Sequence, residues 1–455
     1  MKNSLKTIFL FIPNFVYSSD LLRTDYILYL ATKFNVVVFA PPEILKGGTP
    51  YPELENVMYI EWPIYQKKFW LIFGSYLRNP LIRKYDFEPV IQKHRMRGYT
   101  DWRRSVMRAF GFLIPSGWLT PDLFTAIEIR LLPKNSEYMA YVEKYQPVLS
   151  VTPTPGFTHY DAQAIILAKQ AGIPTVCINF SWDNLHNGGA HFRRVDYMIV
   201  WTQIIKDMAV AEYGYGEDKV FVSGAMRFDK YFKKQPGEPS REEFLKEKGL
   251  DPGEKVILLT TVTAGNYPEE HILLDELLKA RDEGRLEGYP NIFIRLHPKE
   301  ELDKFEKFMH GDRRNFRIET AGKDRSVRLA INIEMEEDDL LNVKYTLMYS
   351  DVVINYRSTM SLEAMIFDKP VINIYYPEKY QQGYLHRHYE PILHMNAIAL
   401  AGSFDEMVEQ IREYLKNPNR DREGRAKVFD KYIHYRDTDS HVRSVDYLEK
   451  IIQKL

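Results

Sequence analysis

Short apolar runs alternate with amphipathic stretches along almost the whole chain. Runs of about four to eight residues, bounded by Gly, Pro or Asn, predict strands buried on both faces of a parallel sheet. In the first half these are Thr7–Ile12, Val36–Phe39, Val57–Glu61, Pro147–Val151, Thr175–Asn179 and Tyr197–Trp201. Helices are predicted between them at Leu21–Phe34 and Asp161–Ala171. A second series follows the polar stretch Lys233–Glu254, with strands at Lys255–Thr261, Asn291–Leu296, Phe316–Ile318, Val352–Asn355 and Val371–Ile374. Its helices are expected near Glu269–Asp282, Glu300–Met309, Asp338–Tyr349 and Thr359–Phe367. The rhythm is that of doubly wound α/β domains, whose ligands bind at the carboxyl ends of the strands. The expected division is a Rossmann-like domain over 1–215, a second over 216–435 and a C-terminal helix over 436–455.

Composition narrows the class. The 455 residues carry 61 Lys+Arg against 62 Asp+Glu, and that balance argues against a dedicated nucleic-acid binder. A hydrophobic fraction of 45% is too high for a disordered chain. The single Cys177 excludes an internal disulfide framework and a multi-cysteine zinc site; mid-strand, it is expected to be packing. The apolar Thr7–Ile12 is too short for a signal-peptide core and is interrupted by Pro13-Asn14, so it reads as a buried strand. No stretch is long enough to span a membrane, and a cytoplasmic protein is expected. One segment departs from the charge balance. Residues 65–108 hold eleven Lys/Arg and three acids, interleaved with Phe69, Trp70, Phe73, Trp102 and other aromatics. This basic and aromatic insertion fits an anionic lipid surface at the inner membrane face; the competing reading is a solvated hairpin with its aromatics packed inside.

The stretch with most chemistry is Tyr349–Pro377, YSDVVINYRSTMSLEAMIFDKPVINIYYP. A buried strand runs into Tyr356-Arg357-Ser358-Thr359 and a helix follows. Ser358 and Thr359 are expected to cap its free N–H groups and to make an anion site with Arg357. Glu363, one turn on, either accepts hydrogen bonds from a ribose or merely pairs with the helix dipole. Thr261 and Gly265, in the small polar run Thr260–Gly265, could let backbone approach a diphosphate. Asn179–Gly189 (NFSWDNLHNGG) follows a buried strand and puts Trp182, Asp183, Asn184 and His186 on a loop at the sheet's carboxyl edge. Asp183 is the first candidate base, with His186 and His159 behind it; the alternative is that Asp183 and Asn184 only hydrogen-bond a turn. Glu334–Asp339 (EMEEDD) reads as a solvated helix approach, and Asp437-Thr438-Asp439 follows no hydrophobic strand, so neither is expected to bind metal.

The Ser350–Ile372 segment resembles the donor-binding segment of GT-B glycosyltransferases, and is most similar to the CDP-glycerol glycerophosphotransferase and capsule-polysaccharide transferase group. Phe221–Phe232 (FVSGAMRFDKYF) is similar to that group's Gly-x-Pro-Arg-x-Asp segment, with Met226 in place of the proline. Phe293–Pro298 (FIRLHP) matches its Arg-x-His-Pro motif, and Asp421–Leu448 resembles its C-terminal helices. The resemblance covers roughly residues 180–455. The group's His-Gly-Thr-Pro motif is missing, since Ser181-Trp182-Asp183-Asn184 stands in the equivalent loop; the identity of the base is therefore open.

The resemblance implies a GT-B fold, two Rossmann-like domains facing across a cleft, with C-terminal helices packing back on the first. It implies an acceptor domain first and a nucleotide-donor domain second, with Arg227, Arg295 and His297 at the donor phosphates. The expected reaction is inverting, metal-independent transfer of a glycosyl or glycerophosphate group from a CDP- or UDP-linked donor to a glycan or lipid-linked hydroxyl, without a cofactor. Two other functions stand beside it. A non-hydrolysing nucleotide-sugar 2-epimerase shares the fold, but Tyr356-Arg357-Ser358-Thr359 replaces that family's Asp-Ser-Gly-Gly-type segment. A non-catalytic nucleotide- or glycan-binding protein would bind without turnover.

Overall fold

A computed structural model describes residues 5–46, 50–62, 120–179, 181–188, 193–263, 266–311, 313–324, 333–386 and 388–455. The insertion at 65–108 and Gly265 lie outside the described residues. The chain divides into two compact units, Met1–Asp229 with Asp324–Glu334 and Asp437–Leu455, and Lys230–Lys323 with Met335–Arg436.

The first unit is built on seven parallel strands: β1 (Thr7–Phe11), β2 (Asn35–Ala40), β3 (Val57–Glu61), β4 (Pro147–Thr152), β5 (Thr175–Ile178), β6 (Tyr197–Val200) and β7 (Val220–Val222). Their order is β3-β2-β1-β4-β5-β6-β7, so the direction of winding reverses between β1 and β4. The unbroken apolar runs have a simple cause. Phe9, Phe11, Val37 and Phe39 pack with Trp62, Tyr138 and Tyr160 on one face, while Ile8, Leu10, Val36 and Val38 pack on the other. Each such side chain contributes about 1.5–3 kcal/mol by burial.

The helix expected over Leu21–Phe34 is α2 (Asp25–Lys33), and a further helix that was not expected, α1 (Phe15–Leu21), precedes it. Asn14 accepts the Val16 and Tyr17 N–H groups and so starts α1, and Thr24 accepts that of Tyr26 and so starts α2. β7 extends the first sheet beyond residue 215, because Met198–Val200 pairs with Val220–Val222. The final helix, here α9 (Ser440–Lys454), buries Val445, Leu448 and Ile451 against the first sheet's core and bonds α2 through Tyr29–Asp446 (3.1 Å) and Lys33–Glu449 (3.2 Å). Asp229 receives its first N–H groups, from Ser440 at 3.2 Å and His441 at 3.0 Å. That gives the Asp of the FVSGAMRFDKYF segment a structural task.

The second unit has six parallel strands: β8 (Val256–Thr260), β9 (Asn291–Leu296), β10 (Phe316–Thr320), β13 (Val352–Asn355), β14 (Val371–Ile374) and β15 (Ala399–Ala401). The missing numbers are a short pair, β11 (Lys323–Asp324) and β12 (Ile333–Glu334). The order β10-β9-β8-β13-β14-β15 reverses between β8 and β13. Both sheets thus have the winding of a Rossmann domain, and the architecture is GT-B.

Two acids correct the solvated reading of 334–339. Glu334 is fully buried and accepts hydrogen bonds from Arg23 (2.9 and 3.1 Å) and Tyr51 (3.1 Å). Asp339 accepts from Arg295 at 2.7 Å and from the Gly322 N–H at 3.0 Å. Only Glu337 and Asp338 are exposed in the first turn of the helix that follows.

Candidate active site

In the second sheet the reversal between β8 and β13 sets three loops side by side at the carboxyl edge. They follow β9, β8 and β13, and carry His297, Thr261-Val262 and Tyr356–Thr359. The first two are joined directly, since the Thr261 Oγ1 accepts the His297 N–H at 2.8 Å. His297 is half-buried. Burial, with Lys299 adding to it, lowers its imidazole to about 4. It is neutral at pH 7, and Nδ1 accepts the Lys299 N–H at 3.0 Å, which puts the ring proton on Nε2. His297 is therefore a neutral hydrogen-bond donor at this edge.

The Tyr356–Thr359 turn is fixed from beneath by buried polar side chains that periodicity cannot reveal. Asn355 Oδ1 accepts from the Ser358 N–H (3.2 Å), the Ser361 hydroxyl (3.0 Å) and the Asn373 amide (3.2 Å). Tyr389 donates from the side to Asn373 or Ser361 at 2.5 and 2.9 Å. All four side chains are at most 0% exposed, so the network is closed to water. The start of α7 (Met360–Ile366) is capped by Ser358, whose Oγ accepts the Met360 N–H at 3.3 Å; Thr359 makes no side-chain cap bond.

Arg357 stands out in this turn. Its backbone has the left-handed φ of 43°, which non-glycine residues rarely adopt. Its neighbours are Tyr356 and Tyr384, with the guanidinium 5.9 Å from the Tyr356 ring. It forms no ion pair among the described residues, and its Nε has no hydrogen-bond partner. Gly383 presses on this arrangement: a Cβ there would meet the Tyr356 hydroxyl at 2.4 Å and Arg357 Nε at 3.1 Å. Arg295 is the contrasting case. It is 5% exposed, bonded to Asp339 and 4.0 Å from Glu319, so its charge is spent inside the unit. Glu363 is buried and accepts the Tyr231 hydroxyl at 2.5 Å. Arg227 lies in the first unit, beside β7, and so outside the unit that holds the second sheet.

The first unit brings a different chemistry to its own carboxyl edge. The Asn179 amide donates to the Ser181 carbonyl at 2.7 Å, and the Ser181 hydroxyl donates to Asp183. Asn184, Leu185 and His186 lie in a short helix (Asn184–Gly188), and Trp182 is buried. Asn179 Oδ1 and Asn184 Nδ2 are buried without hydrogen-bond partners. His159 opens the helix His159–Gln170 and is exposed.

Sequence reasoning passed over Asp161, two residues into that helix. It is fully buried, takes the Thr154 hydroxyl at 2.5 Å on one oxygen and has no partner on the other. Burial pushes its carboxyl up to about 7, against the pull of the Thr154 and Thr158 hydrogen bonds. Asp161 and Asp183 both act electrostatically on the buried Tyr17. The only sequence signal was an acid in the first turn of a helix, which normally marks an exposed N-terminus. Among the described residues no group of three or more His, Cys, Asp or Glu side chains could hold a metal ion. Nor is any described helix long and apolar enough to cross a membrane.

Comparisons with known proteins agree with this architecture. The family model for CDP-Glycerol:Poly(glycerophosphate) glycerophosphotransferase matches residues 181–450, more than half of the chain. No curated protein sequence matches. Among solved structures, UDP-GlcNAc 2-epimerase from Neisseria meningitidis bound to UDP-GlcNAc is similar at 15% identity and TM-score 0.53, over 98% of this chain and 100% of that one. The epimerase of Methanocaldococcus jannaschii is similar at 14% identity and TM-score 0.51, over 98% and 99%. A variant of the wall teichoic acid polymerase TagF is similar at 11% identity and TM-score 0.52, over 99% and 89%. At these identities the structural likenesses establish the fold alone.

Proposed function

Because the chain belongs to the CDP-glycerol:poly(glycerophosphate) glycerophosphotransferase family, we propose that its donor is CDP-glycerol and that the carboxyl edge of the second sheet holds the diphosphate. The chain is a transferase, moving a group from a nucleotide-activated donor to an acceptor hydroxyl in cell-surface polymer synthesis. The observation that carries the donor reading is Arg357, a guanidinium with no carboxylate partner among the described residues, placed where the strand order reverses. A planar fork of donors suits two phosphate oxygens. Ser358 adds a hydroxyl, and the Nε2–H of His297 adds a neutral donor that can follow charge onto the departing nucleotide. Glu363, oriented by Tyr231, is the proposed partner of the ribose.

The chemistry follows from these assignments. An acceptor oxygen attacks the phosphorus bearing glycerol, the bond from that phosphorus to CMP breaks, and the acceptor proton passes to a base. Asp183 is the proposed base, and Asn179 and Asn184 offer an amide oxygen and an amide nitrogen to an incoming hydroxyl. Direct displacement needs no covalent enzyme intermediate and no cofactor. For the segment 65–108 we propose contact with anionic lipid, on its charge and aromatic content alone. Co-sedimentation with anionic vesicles that is indifferent to salt and to loss of Arg103, Arg104 and Arg108 would remove that part.

The test is CMP release from CDP-glycerol, with and without a glycerophosphate-primed acceptor, beside a UDP-GlcNAc arm. Acceptor-dependent release supports the reading. Interconversion of UDP-GlcNAc without nucleotide release would instead identify an epimerase, and binding without turnover in either arm a non-catalytic protein.

A further inference from the structure

Directly behind His297 lies a pair of acids that the proposed mechanism does not use. Glu270 opens α5 (Glu270–Asp282) and is 1% exposed. Its two carboxyl oxygens both face the Val262 N–H, at 3.0 and 3.1 Å. The Glu300 carboxyl lies within hydrogen-bonding reach of it. The Glu300 Oε2 is buried with no partner that could donate to it. The contacts close a ring. Val262 is held by Glu270, Glu270 faces Glu300, and the Glu300 N–H bonds the His297 carbonyl at 2.9 Å. The His297 N–H bonds Thr261, the residue next to Val262. Every link but one has a donor hydrogen of its own. The Glu270–Glu300 link has none unless a proton sits between the two carboxyls.

We propose that Glu270 and Glu300 form a one-proton clasp that ties the loop after β8 to the loop after β9 and thereby positions His297 for transfer. A carboxyl as buried as that of Glu270, with a second carboxyl oxygen against it, is disfavoured as an anion, because like charges in a low-dielectric site repel. Burial first and Glu300 second push the Glu270 carboxyl well above its ordinary range, against the Val262 hydrogen bond. The other titratable groups around the pair are Tyr267, Glu269, His271, His297, Lys299 and Lys304. Lys304 is paired with Glu301 at 2.6 Å, and His297 is neutral, so neither replaces the proton. For an acid raised in the folded state, the stabilisation is complete below the ordinary carboxylate value and is lost as pH rises through the raised one. The clasp therefore opens on the alkaline side. Both residues are positioning residues, since they act through His297, and the catalytic consequence rests on the donor reading above.

Glu270→Gln separates this from simple packing. Its amide oxygen accepts the Val262 N–H and its amide nitrogen donates to Glu300 at every pH. In wild type, kcat/KM for CMP release from CDP-glycerol is expected to fall about tenfold as rising pH removes the clasp proton, whereas Glu270→Gln stays within about twofold across the same range. Glu270→Ala, which opens the ring, is expected to lose about tenfold throughout. A Glu270→Gln protein with the wild-type alkaline loss, or a Glu270→Ala protein with wild-type activity, would overturn the clasp. Thermal unfolding without donor provides an independent readout: the wild-type Tm should drop with rising pH relative to Glu270→Gln. If wild type does not turn over CDP-glycerol, the donor reading fails and this series decides alone. Parallel Tm curves overturn the clasp and diverging ones support it.

Discussion

The carboxyl edges of the two sheets share a topology and differ in charge. At the edge of the second sheet the groups on offer are a guanidinium with no ion pair among the described residues, a neutral imidazole N–H and a capping hydroxyl, over a closed network of Asn355, Ser361, Asn373 and Tyr389. At the edge of the first sheet they are carboxylates, Asp161 and Asp183, and two amides with an atom each to spare. One edge is suited to hold an anion and the other to receive a proton. The winding alone, which both sheets share, does not distinguish them; a handful of side chains just past the strand ends does.

The comparison breaks most visibly at Asp183. Asp183→Asn keeps the shape of the loop but cannot take a proton, so turnover should fall by about 10²–10⁴ while CDP-glycerol affinity holds. Steady-state kinetics beside calorimetry checks both halves; equal loss of affinity and turnover would make the residue structural. Next in size is His297→Gln, expected to lower kcat by roughly 10²–10³. It has a second signature in stability. The imidazole is depressed to about 4 in the folded protein, so the stabilisation is present above the ordinary histidine value and is lost as pH falls towards 4. Denaturation of wild type between about pH 7 and about pH 4 should therefore lose more stability than that of His297→Gln.

Arg357 sharpens the donor side. Arg357→Ala should weaken CDP-glycerol binding by about 1.5–3 kcal/mol, the scale of hydrogen bonds to a charged group, and Arg357→Lys should recover little of it. Gly383→Ala keeps the charge of Arg357 but displaces its guanidinium and Tyr356, so a smaller loss, about 1 kcal/mol, is expected from the same titration. On the first sheet, Asp161 is read through stability alone, with no change in donor binding expected. Its carboxyl is raised to about 7, so its stabilisation is lost as pH rises through 7. Asp161→Asn should accordingly be the more stable protein at about pH 8, by roughly 1–4 kcal/mol, and should gain little at about pH 4. A chemical-denaturation series at both pH values measures the difference.

Much of the fold was legible because strands buried on both faces leave unbroken apolar runs, as in Asn35–Ala40 and Val256–Thr260. What periodicity missed was short or interrupted. Three-residue β7 and β15 are too brief to show a pattern, and the starts of α1 and α2 depend on single capping side chains, Asn14 and Thr24. For the site, motif order placed His297 and Arg357–Glu363 in loops and a helix start at the correct end of a sheet. It could not tell an arginine held by a carboxylate from one that has none among the described residues: Arg295 and Arg357 look alike in sequence, and only packing shows that Asp339 neutralises the first. Asp161 was invisible for the same reason, since burial rather than residue type moves its proton equilibrium.

The central claim is that the His297 edge of the second sheet holds the donor's diphosphate. An NMR titration of the His297 ring protons, assigned by their absence in His297→Gln, tests it most directly. Without donor the ring should titrate near 4, and saturation with CDP-glycerol should raise that value by at least about one unit, because a phosphate beside Nε2 favours the charged ring. A titration midpoint unmoved by saturating CDP-glycerol would contradict the assignment.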